Sequence, residues 1–135
     1  MKIKKIFKIV IAIGFLQILP LMLSLFSTDF KLQLTSDVLG SAPSAETMMM
    51  FDHFALCMTA LFLGLMFHMI GSLSFEDEST LRRLSYLYFV FFGFICLTDL
   101  IAVLQGSSIA APLPVIVLGL VALGLLYYGS KKGVA

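Results

Sequence analysis

Four ionisable side chains stand inside or at the margins of apolar segments: Asp52, His53, His68 and Asp99. A charged group at the centre of a membrane-spanning helix costs about 2.5–3.5 kcal/mol on insertion scales, so each of the four is a functional candidate by default. Asp52 opens the second apolar segment, and Asp99 lies roughly five residues from the corresponding end of the third, which predicts a similar depth for Asp52, His53 and Asp99. Such a cluster would relay protons or pair with a cation, the carboxylates favouring the charged imidazole. The plainer alternative is that all three reach interfacial water.

His53, Cys57, Ala60, Gly64 and His68 follow one another at helical steps of three and four residues, which puts them on one stripe. That stripe is expected to face the bundle, where Ala60 and Gly64 form a small-xxx-small pair that lets a neighbouring helix approach closely. Packing explains the whole face without chemistry. The sharper reading takes His53 and His68 as cofactor ligands. Their separation of about 22 Å along a helix keeps them from sharing one metal, and haem would need a methionine, a second copy or a partner subunit to complete its ligation. Cys57 and Cys96 both fall in apolar segments without Cys-x-x-Cys spacing, so neither a disulfide framework nor a zinc site is expected. No segment carries a specific catalytic motif, and no catalytic residue or obligatory cofactor is assigned.

The elements that must position these groups follow from composition. With 60% hydrophobic and 13% charged residues, the chain lies outside the range of soluble domains, where about a quarter of residues are charged. A helix needs about 20 apolar residues to cross a hydrocarbon core, and four such runs are present, at about 6–26, 48–72, 84–104 and 112–128. The expected fold is all-α, a single polytopic domain forming a four-transmembrane-helix bundle. The first run is longer than a signal-peptide core and no A-x-A-like site follows it, so it is read as a retained helix. Pro20 removes a backbone donor within it and predicts a kink near Gln17, with the freed Leu16 carbonyl requiring a protein partner. Residues 27–46 read as a polar outer loop, in which the alternation from Phe30 to Thr35 suits an extended or surface-lying segment. Ser79 or Thr80 is placed to cap the third run. The aromatics of that run, Tyr86 to Phe94, face lipid and neighbouring helices or stack on a quinone, and Tyr127 with Tyr128 forms an interfacial anchor.

Eight of the nine basic residues lie at the N-terminus, in the second turn or near the C-terminus, and only Lys31 lies among the opposite loops. By the positive-inside rule both termini and the turn from Phe75 to Arg83 are cytoplasmic, while the Ser27 to Glu46 loop and the Gln105 to Ala111 turn face outward. The basic clusters sit where apolar segments end, not on an aromatic-interleaved surface, which argues against nucleic acid as a partner.

The short charged turn ending in Leu81-Arg82-Arg83-Leu84 and the glycine-containing Leu61-Phe62-Leu63-Gly64-Leu65 give a layout that resembles the DoxX-like group of small bacterial membrane proteins. That resemblance implies a bundle in the bacterial cytoplasmic membrane that often works beside another protein. It implies no functional residue, since the first helix lacks the basic residue and paired glycines of that group. The leading expectation is a non-catalytic accessory or structural subunit, with the lipid bilayer and other membrane subunits, or further copies of itself, as partners. A quinone- or haem-associated redox protein and a small proton-coupled transporter or channel are the alternatives.

Overall fold

The computed structural model describes residues 1–40, 42–107 and 111–135. Five α-helices follow in order: α1 Ile3–Ser24, α2 Thr28–Leu39, α3 Ala45–Gly71, α4 Glu78–Leu104 and α5 Leu113–Lys132, with a 3₁₀ turn at Ser72–Ser74 closing α3. Four of them, all but α2, are long and apolar enough to cross a membrane. The architecture is therefore an all-helical, apolar bundle. Of the expected turn from Gln105 to Ala111, residues 108–110 fall outside the described residues.

Local signals fix the helix starts. Ser27 accepts the Phe30 amide at 3.3 Å, Ser44 accepts the Thr47 amide at 3.1 Å, and Asp77 accepts the Thr80 amide at 2.7 Å. Each side chain satisfies a backbone donor that a helix start leaves orphaned. At α5 Pro112 stands at the cap and Pro114 within the first turn, where a missing N–H costs nothing.

Two expectations are corrected here. Residues 28–39 form a helix, not an extended segment: Ser27 caps it, Asp29 sits in its first turn, and Gly40 ends it at φ 80°, a left-handed value that glycine adopts without strain. Asp77, not Ser79 or Thr80, caps α4. Its carboxylate also accepts the Ser79 and Thr80 hydroxyls at 2.8 and 2.6 Å. The charged stretch from Glu78 to Arg83 thereby becomes the first turns of the helix. α1 runs through Pro20 without a break.

Hydrogen bonds from the Thr80 and Ser79 side chains hold the Asp77 carboxyl at a pKa of about 2, down from an ordinary 3.8. The depressed value means that the folded state prefers the carboxylate. Its contribution to stability is complete above the unfolded pKa and disappears as pH falls through about 2. Asp77→Asn should flatten the acid limb of a pH-stability profile by lowering the neutral region toward the acid value, with the acid extreme little changed. An unaltered acid limb would remove Asp77 from the account.

The helices assemble around α1, which touches α2, α3, α4 and α5, while α4 and α5 form the closest pair. Ile3, Ile6, Phe7 and Val10 of α1, Met66 and Met69 of α3, Leu81 of α4 and Leu126 of α5 are fully buried. In lipid, helix association rests on close van der Waals contact because tails are as apolar as leucine. Close contact here depends on small residues. The Met66 side chain lies on Gly14, where an added Cβ would fall 2.6 Å from its sulfur, and at Gly129 a Cβ would fall 2.5 Å from Ser85 Oγ.

Thr59 faces this core at 7% exposure, and its hydroxyl has no hydrogen-bond partner among the described residues. An unmet buried hydroxyl costs about 1–3 kcal/mol, and valine has nearly the same shape. Thr59→Val is expected to stabilise the isolated chain by about 1 kcal/mol, read by SDS-induced unfolding in mixed micelles. Destabilisation would mean that the hydroxyl finds a partner in the folded protein.

Candidate functional site

α3 presents two opposite faces. Ala55, Thr59, Phe62, Met66 and Met69 are buried against the bundle, whereas His53, Cys57, Ala60, Gly64 and His68 are all exposed. The helical spacing thus groups the stripe correctly, but its expected direction is reversed. Nothing lies within 4 Å of a Cβ placed on Gly64. Within one copy of the chain, Ala60 and Gly64 pack against no helix, and the close approach they permit is left for whatever covers this face.

The polar cluster expected at the outer end does not assemble. Asp52 is paired with Lys31 of α2. Among the described residues His53 Nε2 meets only Cys57 Sγ, 3.7 Å away on the next turn. Asp99, half-buried on α4, carries no hydrogen bond or ion pair among the described residues. Nor, among the described residues, does any group of three or more His, Cys, Asp and Glu side chains converge there to hold a metal. The Lys31–Asp52 pair neutralises the one cation that departs from the charge asymmetry.

Gln17 does face protein. Its Nε2 donates to the Val115 carbonyl of α5 at 2.9 Å, a cross-helix bond beside Gly119 that ties α1 to the first turn of α5. Leu16 points outward at 60% exposure. No donor from another element reaches its carbonyl among the described residues, so the partner expected for the group that Pro20 frees is not supplied there. Pro20 itself is half-buried.

At the other end of α3 the structure builds a ring that sequence spacing does not reveal. His68 Nδ1 lies 2.6 Å from Tyr88 Oη, Tyr88 Oη lies 2.7 Å from Ser72 Oγ, and Ser72 Oγ donates to the His68 carbonyl at 2.9 Å. Each hydroxyl has one proton. All three bonds are met only if His68 Nδ1–H donates to Tyr88, Tyr88 donates to Ser72, and Ser72 donates to the carbonyl. His68 therefore carries its proton on Nδ1, while Nε2 has no hydrogen-bond partner among the described residues. Tyr88 is buried, edge-on to Phe7 at a centroid distance of 5.4 Å and to His68 at 5.7 Å. The available cue in the sequence was His68 four residues before Ser72, but the tyrosine comes from α4.

The two chain ends complete the opposite side of this layer. Lys2 and Val134 form a parallel bridge, with the Ile3 amide donating to the Val134 carbonyl at 2.8 Å. Arg82 Nε donates to the Gly133 carbonyl at 3.0 Å, and the N-terminal ammonium donates to Tyr128 Oη at 3.3 Å. The three basic clusters consequently gather at one end of the bundle. Compared with known proteins, the chain matches no family model, no curated relative and no solved structure.

Proposed function

We propose that this chain is a multi-pass protein of a bacterial cytoplasmic membrane, with both termini cytoplasmic, serving as a non-catalytic accessory or structural subunit of a larger membrane complex. The observation that carries this reading is the set of ionisable groups on the outside of the spans that no opposite charge meets among the described residues. Asp99 has no ion pair among the described residues, and His53 and His68 lie on the uncovered face of α3. Against lipid a charged group is costly, by about 2.5–3.5 kcal/mol at the helix centre and less toward the ends, where Asp99 lies. A neighbouring subunit that supplies a donor or cation offsets that cost, and Ala60 with Gly64 permits its helix to come close. The gathering of the basic clusters at one end supports the orientation, because both termini and the α4 start then share one side of the membrane. The DoxX-like layout is part of the same proposal.

The test is purification of the tagged chain in a gentle detergent or native nanodisc, with mass spectrometry of what accompanies it. Stoichiometric partners are expected, and Asp99→Leu should release them while leaving the isolated chain at least as heat-stable. A chain recovered only as a lone monomer would sink the reading.

A second reading is favoured by the proton on His68 Nδ1. A histidine whose Nδ1–H is held by a hydrogen bond and whose Nε2 is free has the arrangement of a metal- or haem-ligating imidazole. A second ligand would come from a methionine, a second copy of the chain or a partner subunit. A Soret band in the purified sample that disappears in His68→Ala would establish this redox role, and a colourless sample would end it.

A further inference from the structure

We infer that the groove between the start of α4 and the end of α5 is a binding site for an anionic phospholipid of the leaflet facing the chain ends. The inference rests on the membrane-spanning reading above. The groove encloses about 460 Å³ and is lined by Arg82, Arg83, Tyr86, Leu87, Ser130 and Lys131. Its cations differ in how committed they are. Arg82 is held by Glu78 at 2.8 Å and by the Gly133 carbonyl, so it forms a fixed wall, and the carboxylate nearest the groove is already spent on it. Among the described residues Arg83 has no hydrogen bond or ion pair, and Lys131 lies over the Tyr127 ring at 6.0 Å and forms no ion pair. Two cations are thereby left facing a groove that offers them no anion.

Further along α4 from the basic groove lies an apolar one. A second furrow of about 220 Å³ is lined by Phe89, Val90, Gly93, Phe94 and Leu97. Residues 83, 86, 87, 90, 94 and 97 recur at helical spacing, so a single face of α4 carries the cation at one end and the furrow along the rest. From Arg83 to Gly93 is about 15 Å along the helix, half of a hydrocarbon core of about 30 Å. Gly93 floors the furrow. A cationic pocket with an apolar furrow further along the same helix, together one leaflet deep, matches a phosphate headgroup with its acyl chain below, as basic pockets between spanning helices do for acidic lipids. A zwitterionic headgroup would bring its own cation against Arg83 and Lys131. An acidic peptide segment would satisfy the charges and leave the furrow empty, which makes it the weaker occupant.

Native mass spectrometry of the full-length chain in mild detergent, titrated with phosphatidylglycerol or phosphatidylcholine, tests the site. Phosphatidylglycerol should bind at least about ten-fold more tightly, and Arg83→Gln with Lys131→Gln should weaken it about 30-fold, at roughly five-fold for each charge. Lys5→Gln with Lys132→Gln removes the same charge from the same end outside the groove and should change binding less than about three-fold. Gly93→Leu, which fills the furrow and touches no charge, should also weaken the lipid. Equal binding of the two lipids overturns the site, as does equal weakening by both pairs of variants, which would indicate diffuse surface charge. Displacement of phosphatidylglycerol by millimolar inorganic phosphate would overturn it too, in favour of a free-anion site. Resistance of the expressed chain to carbonate extraction separates the two levels: an inserted chain that fails these tests loses only the lipid site, whereas an extractable chain loses the spanning reading as well.

Discussion

Gly129→Val is expected to destabilise the bundle by about 3 kcal/mol or more, at the upper end of overpacking effects. A Cβ at Gly129 would fall 2.5 Å from Ser85 Oγ and 3.1 Å from Ile6 Cδ1. Neither neighbour has room to yield. Ser85 is fully buried and spends its hydroxyl on the Leu126 carbonyl at 2.7 Å, and Ile6 is fully buried in α1. Turning Ser85 aside would cost that bond, and moving Ile6 would open the contact on which α1, α4 and α5 converge. Gly64→Ala is the internal contrast. Nothing lies near its Cβ, and replacing a mid-helix glycine gains about 0.5–1 kcal/mol, so the isolated chain should tolerate or welcome it. SDS-induced unfolding of both variants gives the comparison. Equal stability of Gly129→Val and the parent chain would mean that the α4–α5 contact is looser than described.

Tyr88→Phe should cost about 2 kcal/mol, since losing one hydroxyl leaves two groups of the ring, His68 Nδ1–H and Ser72 Oγ, without their partner. The aromatic contacts with Phe7 and His68 survive in phenylalanine, so Tyr88→Leu should cost more. Because the three groups act as a unit, Ser72→Ala and Tyr88→Phe combined should cost less than the sum of the single variants. Strict additivity would show that the ring is not cooperative. The same substitution frees the His68 ring to rotate, so any property that depends on the direction of Nε2 should change with it.

The four long helices were legible because each contains an apolar run of spanning length, and basic residues at their ends suffice to indicate which ends lie together. α2 was obscured because Phe30-Lys31-Leu32-Gln33-Leu34 alternates like a strand, although Ser27 before it and Gly40 after it are helix punctuation. The direction of the α3 stripe was not legible for a deeper reason. Helical spacing shows which residues share a face, but in a bundle this apolar the inner and outer faces are both hydrophobic, so composition cannot say which is which. Met66 and Met69 turned out to line the core, and the smaller Ala60 and Gly64 the outside. For Asp52, spacing along its own helix indicated Asp99 and His53, whereas its partner Lys31 lies on the segment whose helical form was missed. The ring at His68 needed a residue from another helix and had no local signature.

The seam between Lys2 and Val134 bears on how the molecule comes into being. A ribosome releases the first helix more than a hundred residues before the segment that latches it. Until residues 133 and 134 emerge, the Ile3 amide lacks the Val134 carbonyl and Arg82 lacks the Gly133 carbonyl, and Ile3 and Ile6 lack the surface of α5 that buries them. The cost of closing so large a loop grows only logarithmically with its length, so the delay weighs on the nascent chain's timing more than on the finished fold. Closure of this corner therefore comes late, and until then α1 stands without the α5 surface that buries it.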